Sequence, residues 1–190
     1  MPDAAEILEF WFGKGSVVTA EIQRRWFSAD QEFDQLCNEG FLADHAAATA
    51  GRLEGWRSDP HSCLALVLLL DQFPRNLFRN TARAFATDAQ ALAVARGAIA
   101  KGYDRELVPL RRVFLYMPFE HSETLADQDE SVSLTRNLAQ QHPECAGFLK
   151  YAEAHREVIR RFGRFPHRNA LLGRASSSAE EEYLRDHRGF

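Results

Sequence analysis

Acid, base and guanidinium side chains gather beside three prolines in this chain. Asp71, Arg75 and Arg79 surround Pro74, Glu120, His121 and Glu123 follow Pro118, and Arg164, His167 and Arg168 straddle Pro166. A guanidinium offers a planar fork that grips carboxylate or phosphate with two bonds, so Arg75, Arg79, Arg164 and Arg168 are candidate anion ligands. Asp71 and the inward-facing His155 are candidates to orient them. A histidine flanked by carboxylates can move protons, which makes His121 or His167 the candidate acid–base group and Glu120 its orienting partner. Each group also has a structural reading. Asp71 and Arg75 can pin a helix bend as a buried ion pair, Glu120 to Glu123 can form a polar helix start capped by Ser122 or Thr124, and residues 164–168 can form a solvated loop.

These positions demand a helical frame. Proline costs a helix one backbone bond and fixes a bend, so each group should lie where an apolar helix stops. The capping pattern of Asp3 with Glu6 opens a helix through Ile7, Leu8, Phe10 and Trp11 to Gly13, followed by a loop over 13–19. Ser28 with Gln31 signals the next start, and Phe33, Leu36, Cys37, Phe41 and Ala48 keep helical spacing to Gly51. Asp59-Pro60 begins a helix apolar on every side, which belongs at the centre of the molecule. Thr81 is the expected cap of a helix running through Phe85, Leu92, Ala95 and Ile99 to Gly102. Further helices follow around Leu110–Met117, over Thr124–Gln141, and from Pro143 through Phe148, Ala152, His155, Ile159 and Phe162. Ser178 with Glu181 caps a last one. No segment alternates as a strand does. The expected fold is all-α, with about eight or more helices in antiparallel pairs within one domain over 1–190.

Composition narrows the function classes. The net charge is −4, which gives no general attraction to nucleic acid or an anionic membrane. The longest apolar run, Cys63 to Leu70, is far short of the roughly 20 residues a membrane span needs. Three dispersed cysteines, Cys37, Cys63 and Cys145, suit neither a disulfide framework nor a cysteine zinc site, and they point to the cytoplasm. The acidic amino-terminal stretch does not read as a signal peptide. No Glu is followed three residues later by His, and no His-Glu-x-x-His, phosphate loop or Gly-x-Ser-x-Gly is present, so no metal or cofactor is expected. Arginines outnumber lysines twenty to three, a bias that a GC-rich genome accounts for.

Several stretches together carry a family resemblance. They are Phe10-Trp11-Phe12-Gly13, Trp26-Phe27, Asp71-Gln72-Phe73-Pro74-Arg75-Asn76, Ala84-Phe85-Ala86-Thr87-Asp88, Pro118-Phe119-Glu120-His121-Ser122-Glu123, Phe162 to Asn169, and Glu-Glu-Tyr-Leu at 181–184. In these the chain resembles the bacterial domain-of-unknown-function family 924 over nearly its whole length. The resemblance implies a tetratricopeptide-like right-handed helical stack and supplies no reaction. Three functions then compete. The proline groups meet in one cleft that binds a small anionic molecule; or the fold is a scaffold that binds a peptide or protein partner; or the groups are ion-pair networks that only hold the fold.

Overall fold

A computed structural model describes residues 2–15 and 18–187, so part of the loop expected over 13–19, at 16 and 17, lies outside the described residues. Among the described residues ten α-helical segments follow one another: α1 (Ala4–Phe12), α2 (Ala20–Phe27), α3 (Gln31–Thr49), α4 (Pro60–Asp71), α5 (Phe73–Leu77), α6 (Asp88–Ala100), α7 (Pro109–Glu120), α8 (Leu125–Gln141), α9 (Ala146–Phe162) and α10 (Ser178–Asp186). Short 3-10 turns join several of them, and the described residues contain no strand. None of the helices among them is long and apolar enough to cross a membrane.

The apolar helix is the hub. Every residue of α4 from Cys63 to Asp71 is buried, and α1, α3, α6 and α7 pack around it. Asp59 starts it by accepting the backbone N–H groups of His61 and Ser62, and Pro60 fills a first-turn position where a missing N–H costs nothing. On one side an aromatic cluster of Phe10, Trp11, Phe33, Phe41, Phe73 and Phe114 joins α1, α3, α5 and α7. Trp26 enters it from α2 and donates its indole N–H to the Trp11 carbonyl at 2.8 Å. Each such ring contributes about 1.5–3 kcal/mol by leaving water. The carboxyl-terminal part has its own small apolar cluster of Val158, Ile159 and Phe165, with Phe162 and Tyr183 against it.

Local signals place some boundaries differently from expectation. The α3 cap is Asp30, whose carboxylate accepts two backbone N–H groups, while Ser28 ends an α2 that the periodicity did not mark. Thr81 precedes a 3-10 turn over Ala82–Phe85, and α6 starts only at Asp88. The final capping box is Ser177 with Glu180, one residue ahead of the expected pair.

The three prolines also act differently from one another. At Pro74 the chain bends without breaking: Gln72 keeps helical angles and donates its N–H to Leu68, and α5 begins at once with Pro74 in its first turn. Pro118 lies inside α7, which continues to Glu120 with His121 N–H reaching the Met117 carbonyl. The third helix stops at Gly163 rather than at proline, because Gly163 takes φ +69°, a left-handed angle that costs glycine least.

Candidate functional site

The bend after α4, the end of α7 and the loop after α9 converge on one buried group of polar side chains. Asp71, fully buried at the last turn of α4, accepts the His121 Nδ1–H at 2.7 Å and the Gln72 side-chain amide at 2.5 Å. Arg75, one turn on, comes within 3.5 Å of the same carboxylate and also bonds the Asp71 carbonyl. Burial alone would raise the Asp71 pKa. The Arg75 charge and the His121 contact outweigh it and hold the carboxyl below the usual carboxylate range. Because an ionised carboxylate only accepts, the His121 proton resides on Nδ1 and its lone pair on Nε2. Burial and Arg75 keep that imidazole neutral.

Glu120 precedes His121 at the end of α7 and turns to α9. Its carboxyl lies 3.2 Å from His155 Nδ1, which also donates to the Tyr151 carbonyl at 2.8 Å. Burial and the nearby Asp71 charge push Glu120 up to about 8, so it carries a proton at neutral pH. Burial pushes His155 down to about 3, so it stays neutral. The His121 and His155 rings meet edge to face, with centroids 6.2 Å apart. The main chain under both acid–base residues is fastened by Gln128 of α8. Its amide donates to the Glu120 and Ser122 carbonyls at 2.6 and 2.7 Å, satisfying acceptors left open at the helix end.

The third wall holds the guanidinium groups. Asp88, at the start of α6, takes both arms of Arg75 at 3.1 and 3.2 Å and Arg168 at 3.0 Å. Arg168 also lies over the rings of Phe85 and Phe165, at 4.5 and 4.6 Å. It is 6% exposed, and its Nε–H is buried with no hydrogen-bond partner among the described residues. Burial outweighs the single shared carboxylate and lowers Arg168 to about 10. His167 stacks beside Phe165 at 5.6 Å and is lowered to about 4, by burial first and then by Arg168.

Seven of the nine expected site residues therefore lie together: Asp71, Arg75, Glu120, His121, His155, His167 and Arg168. Arg79 and Arg164 stand apart. Arg79 grips Asp34 of α3 at 2.5 and 2.7 Å, and Arg164 grips Glu180 of α10 at 2.6 and 2.8 Å. Two residues given no role in the sequence complete the group. Asp88 is the carboxylate that balances the arginines; its only sequence signal is its place in the Ala84–Asp88 stretch. Gln128 has no local signal at all. No three His, Cys, Asp or Glu side chains among the described residues stand as a metal-binding set.

The group can take a proton at His121 Nε2 and give one from Glu120, and Arg168, through Asp88 part of the same network, holds an unused buried N–H. Carboxyls pushed in opposite directions within one site suit separate acid and base roles. Depressions of about 390 Å³ between Phe12, Val108 and Arg111 and of about 370 Å³ between α8 and α9 lie away from this group.

Comparison with known proteins adds a family and a fold. The model of a family described as bacterial protein of unknown function, DUF924, matches residues 7–188. The solved structure of a protein of unknown function from Agrobacterium tumefaciens is 41% identical, with a TM-score of 0.86 over 97% of each chain. No curated protein matches.

Proposed function

The chain belongs to this bacterial family of unknown function, and from that premise we propose that its converging helix ends form a small-molecule site performing acid–base chemistry. The ligand carries a carboxylate or phosphate. His121 accepts a proton at Nε2, oriented by Asp71; Glu120 supplies one; Arg168, placed by Asp88 and the two phenylalanine rings, receives the anionic group. The observation that carries this reading is the 2.7 Å bond from His121 to a fully buried Asp71. It fixes the tautomer and aims a basic nitrogen, the arrangement general-base catalysis requires.

Convergence of seven residues from α4, α5, the end of α7, α9 and the following loop supports a small-molecule site over a peptide-binding scaffold, which has no need of a buried acid–base cluster. The cysteines are all buried and free, which suits a reducing cytoplasm.

Thermal denaturation against inorganic phosphate, acetate, succinate and citrate tests the reading. A ligand at 100 times its Kd adds about 2.7 kcal/mol, or about 5–10 °C in a domain this size. The shift should disappear in Arg168→Lys and survive in Arg79→Ala. If no anion stabilises the protein, or if Arg168→Lys responds as the wild type does, the anion site is wrong.

A further inference from the structure

The acid–base group is largely covered, with His121 13% and Glu120 12% exposed, and one wall of it is not part of the helical stack. Residues 164–174 follow Gly163 and include Gly173 next to their last residue, two glycines with left-handed φ of +69° and +65°, and they carry His167 and Arg168. This strap is tied to the helices through Glu123, in the α7–α8 connection. The Glu123 carboxylate accepts the Phe165 backbone N–H at 2.8 Å and both arms of Arg174 at 2.6 and 2.9 Å. Arg168 to Asp88 is the second tie, and the Phe165 ring against His155, Val158 and Ile159 is the apolar anchor. The first tie is partly exposed, with Glu123 at 28% and Arg174 at 24%, so water competes for it. Inside the strap, Arg174 bonds the Asn169 side chain and the Phe165 carbonyl, and Asn169 bonds Ser176. The segment is thus cross-braced within itself and held to the helices by Glu123, by Asp88, by the two-armed Arg164–Glu180 pair and by the buried Phe165 ring.

We infer that residues 164–174 are a lid that lifts as one piece to admit the ligand and returns with Arg168, whose unpartnered buried Nε–H binds the ligand's oxyanion. The inference rests on the site proposed above and names the part that moves and the donor that receives the charge. Closing brings a guanidinium already stacked between Phe85 and Phe165 onto the anion, and it excludes water from His121 and Glu120.

Hydrogen exchange of the full chain tests it. The reporter is the Phe165 backbone N–H, bonded to Glu123 across the tie, while the N–H groups of Arg168, Asn169, Leu172 and Arg174, bonded within the strap, keep their partners when it lifts as one piece. At low salt the Phe165 N–H should exchange at least about 100-fold faster than the α4 amides, as local opening does relative to global unfolding. Arg174→Gln should speed it about tenfold further and leave α4 unchanged. Phosphate or succinate, whichever raises the thermal midpoint, should slow it about tenfold in wild type and not in Arg168→Lys. That variant retains the charge facing Asp88 and lacks the Nε–H. A Phe165 N–H that exchanges together with α4 overturns the lid while leaving the site reading intact. Equal slowing of wild type and Arg168→Lys overturns the role of the Nε–H. An opening strap with no anion stabilising the protein overturns the site reading and the oxyanion role together, and leaves the motion standing.

Discussion

Replacing Glu120 by Gln copies the shape of a protonated carboxyl and removes its ability to ionise. Glu120 is 12% exposed, and its buried position beside Asp71 raises it from 4.5 to about 8. The folded protein keeps a proton that the unfolded chain releases above pH 4.5, so the unfolded state binds fewer protons and stability falls as pH rises. The contribution is whole below the unfolded pKa and is lost as pH climbs through the folded one. One unit is about 1.36 kcal/mol, so by pH 8 the accumulated loss is about 4–5 kcal/mol. Gln escapes it. Urea unfolding of both proteins from pH 5 to 9 should give a stability difference that grows in favour of Glu120→Gln by about 1.4 kcal/mol per unit up to pH 8 and then flattens. Neighbouring Asp71, His121 and His155 largely cancel in that difference, because below pH 8 they face an uncharged group in either protein. A difference independent of pH, or a variant less stable than wild type at pH 8, would refute the claim that Glu120 is held protonated.

Wild-type stability should peak near pH 6.5: His155 and His167 are lowered to about 3 and about 4 when folded, so together they cost about 2.7 kcal/mol per unit as pH falls below 6.5, more than the roughly 1.4 kcal/mol per unit that protonated Glu120 returns, and above 6.5 Glu120 erodes stability unopposed. The same urea series from pH 5 to 9 locates the maximum. Asp88→Asn leaves the buried Arg168 without its carboxylate, and the partly exposed Arg75 with Asp71 alone, and should cost about 3–5 kcal/mol in urea unfolding at pH 7. Asp34→Asn, opposite an Arg79 that is 34% exposed, should cost only about 1 kcal/mol. Gln128→Leu strips the donor from the Glu120 and Ser122 carbonyls and should cost about 2–4 kcal/mol, with faster exchange of the amides at the end of α7.

What was legible in the sequence is what local physics decides. The unbroken apolar run of α4 has no polar face to give to water, so its central burial follows directly. Asp59-Pro60 and Asp3 start helices because their carboxylates reach backbone N–H groups two or three residues on. His155 faces inward because it shares the 3.6-residue stripe of Ala152 and Ile159. Partner choice is another matter. Arg168 and Asp88 are 80 residues apart in the chain, and Arg79 and Asp34 are 45 apart. Nothing local favours those pairs over Glu120 or Glu123, the carboxylates nearer the proline groups. Boundaries slipped where two capping residues stand close together, as at Ser28 and Asp30 or Ser177 and Ser178, since side-chain type leaves the backbone angles undecided between them.

The proposed chemistry gives the group a reason beyond stability. Asp71, Arg75, Asp88, Glu120, His121, His155 and Arg168 occupy a junction between helices that apolar side chains of similar volume could fill. Such a filling is often as stable as a buried ionic network or more so, because charges lose hydration that pairing only partly returns. The cost is visible in this molecule: Glu120 is pushed up to about 8, His155 down to about 3, and Arg168 down to about 10, each by burial first. Arg168 adds a buried N–H without a partner. The Asp34–Arg79 and Arg164–Glu180 pairs show how the fold uses ion pairs that serve only to hold helices together. In both, each charge finds a two-armed partner and nothing is left over. At the convergent site a base, a protonated acid and a spare donor remain unspent, and chemistry on a bound anion is the use that their arrangement best fits.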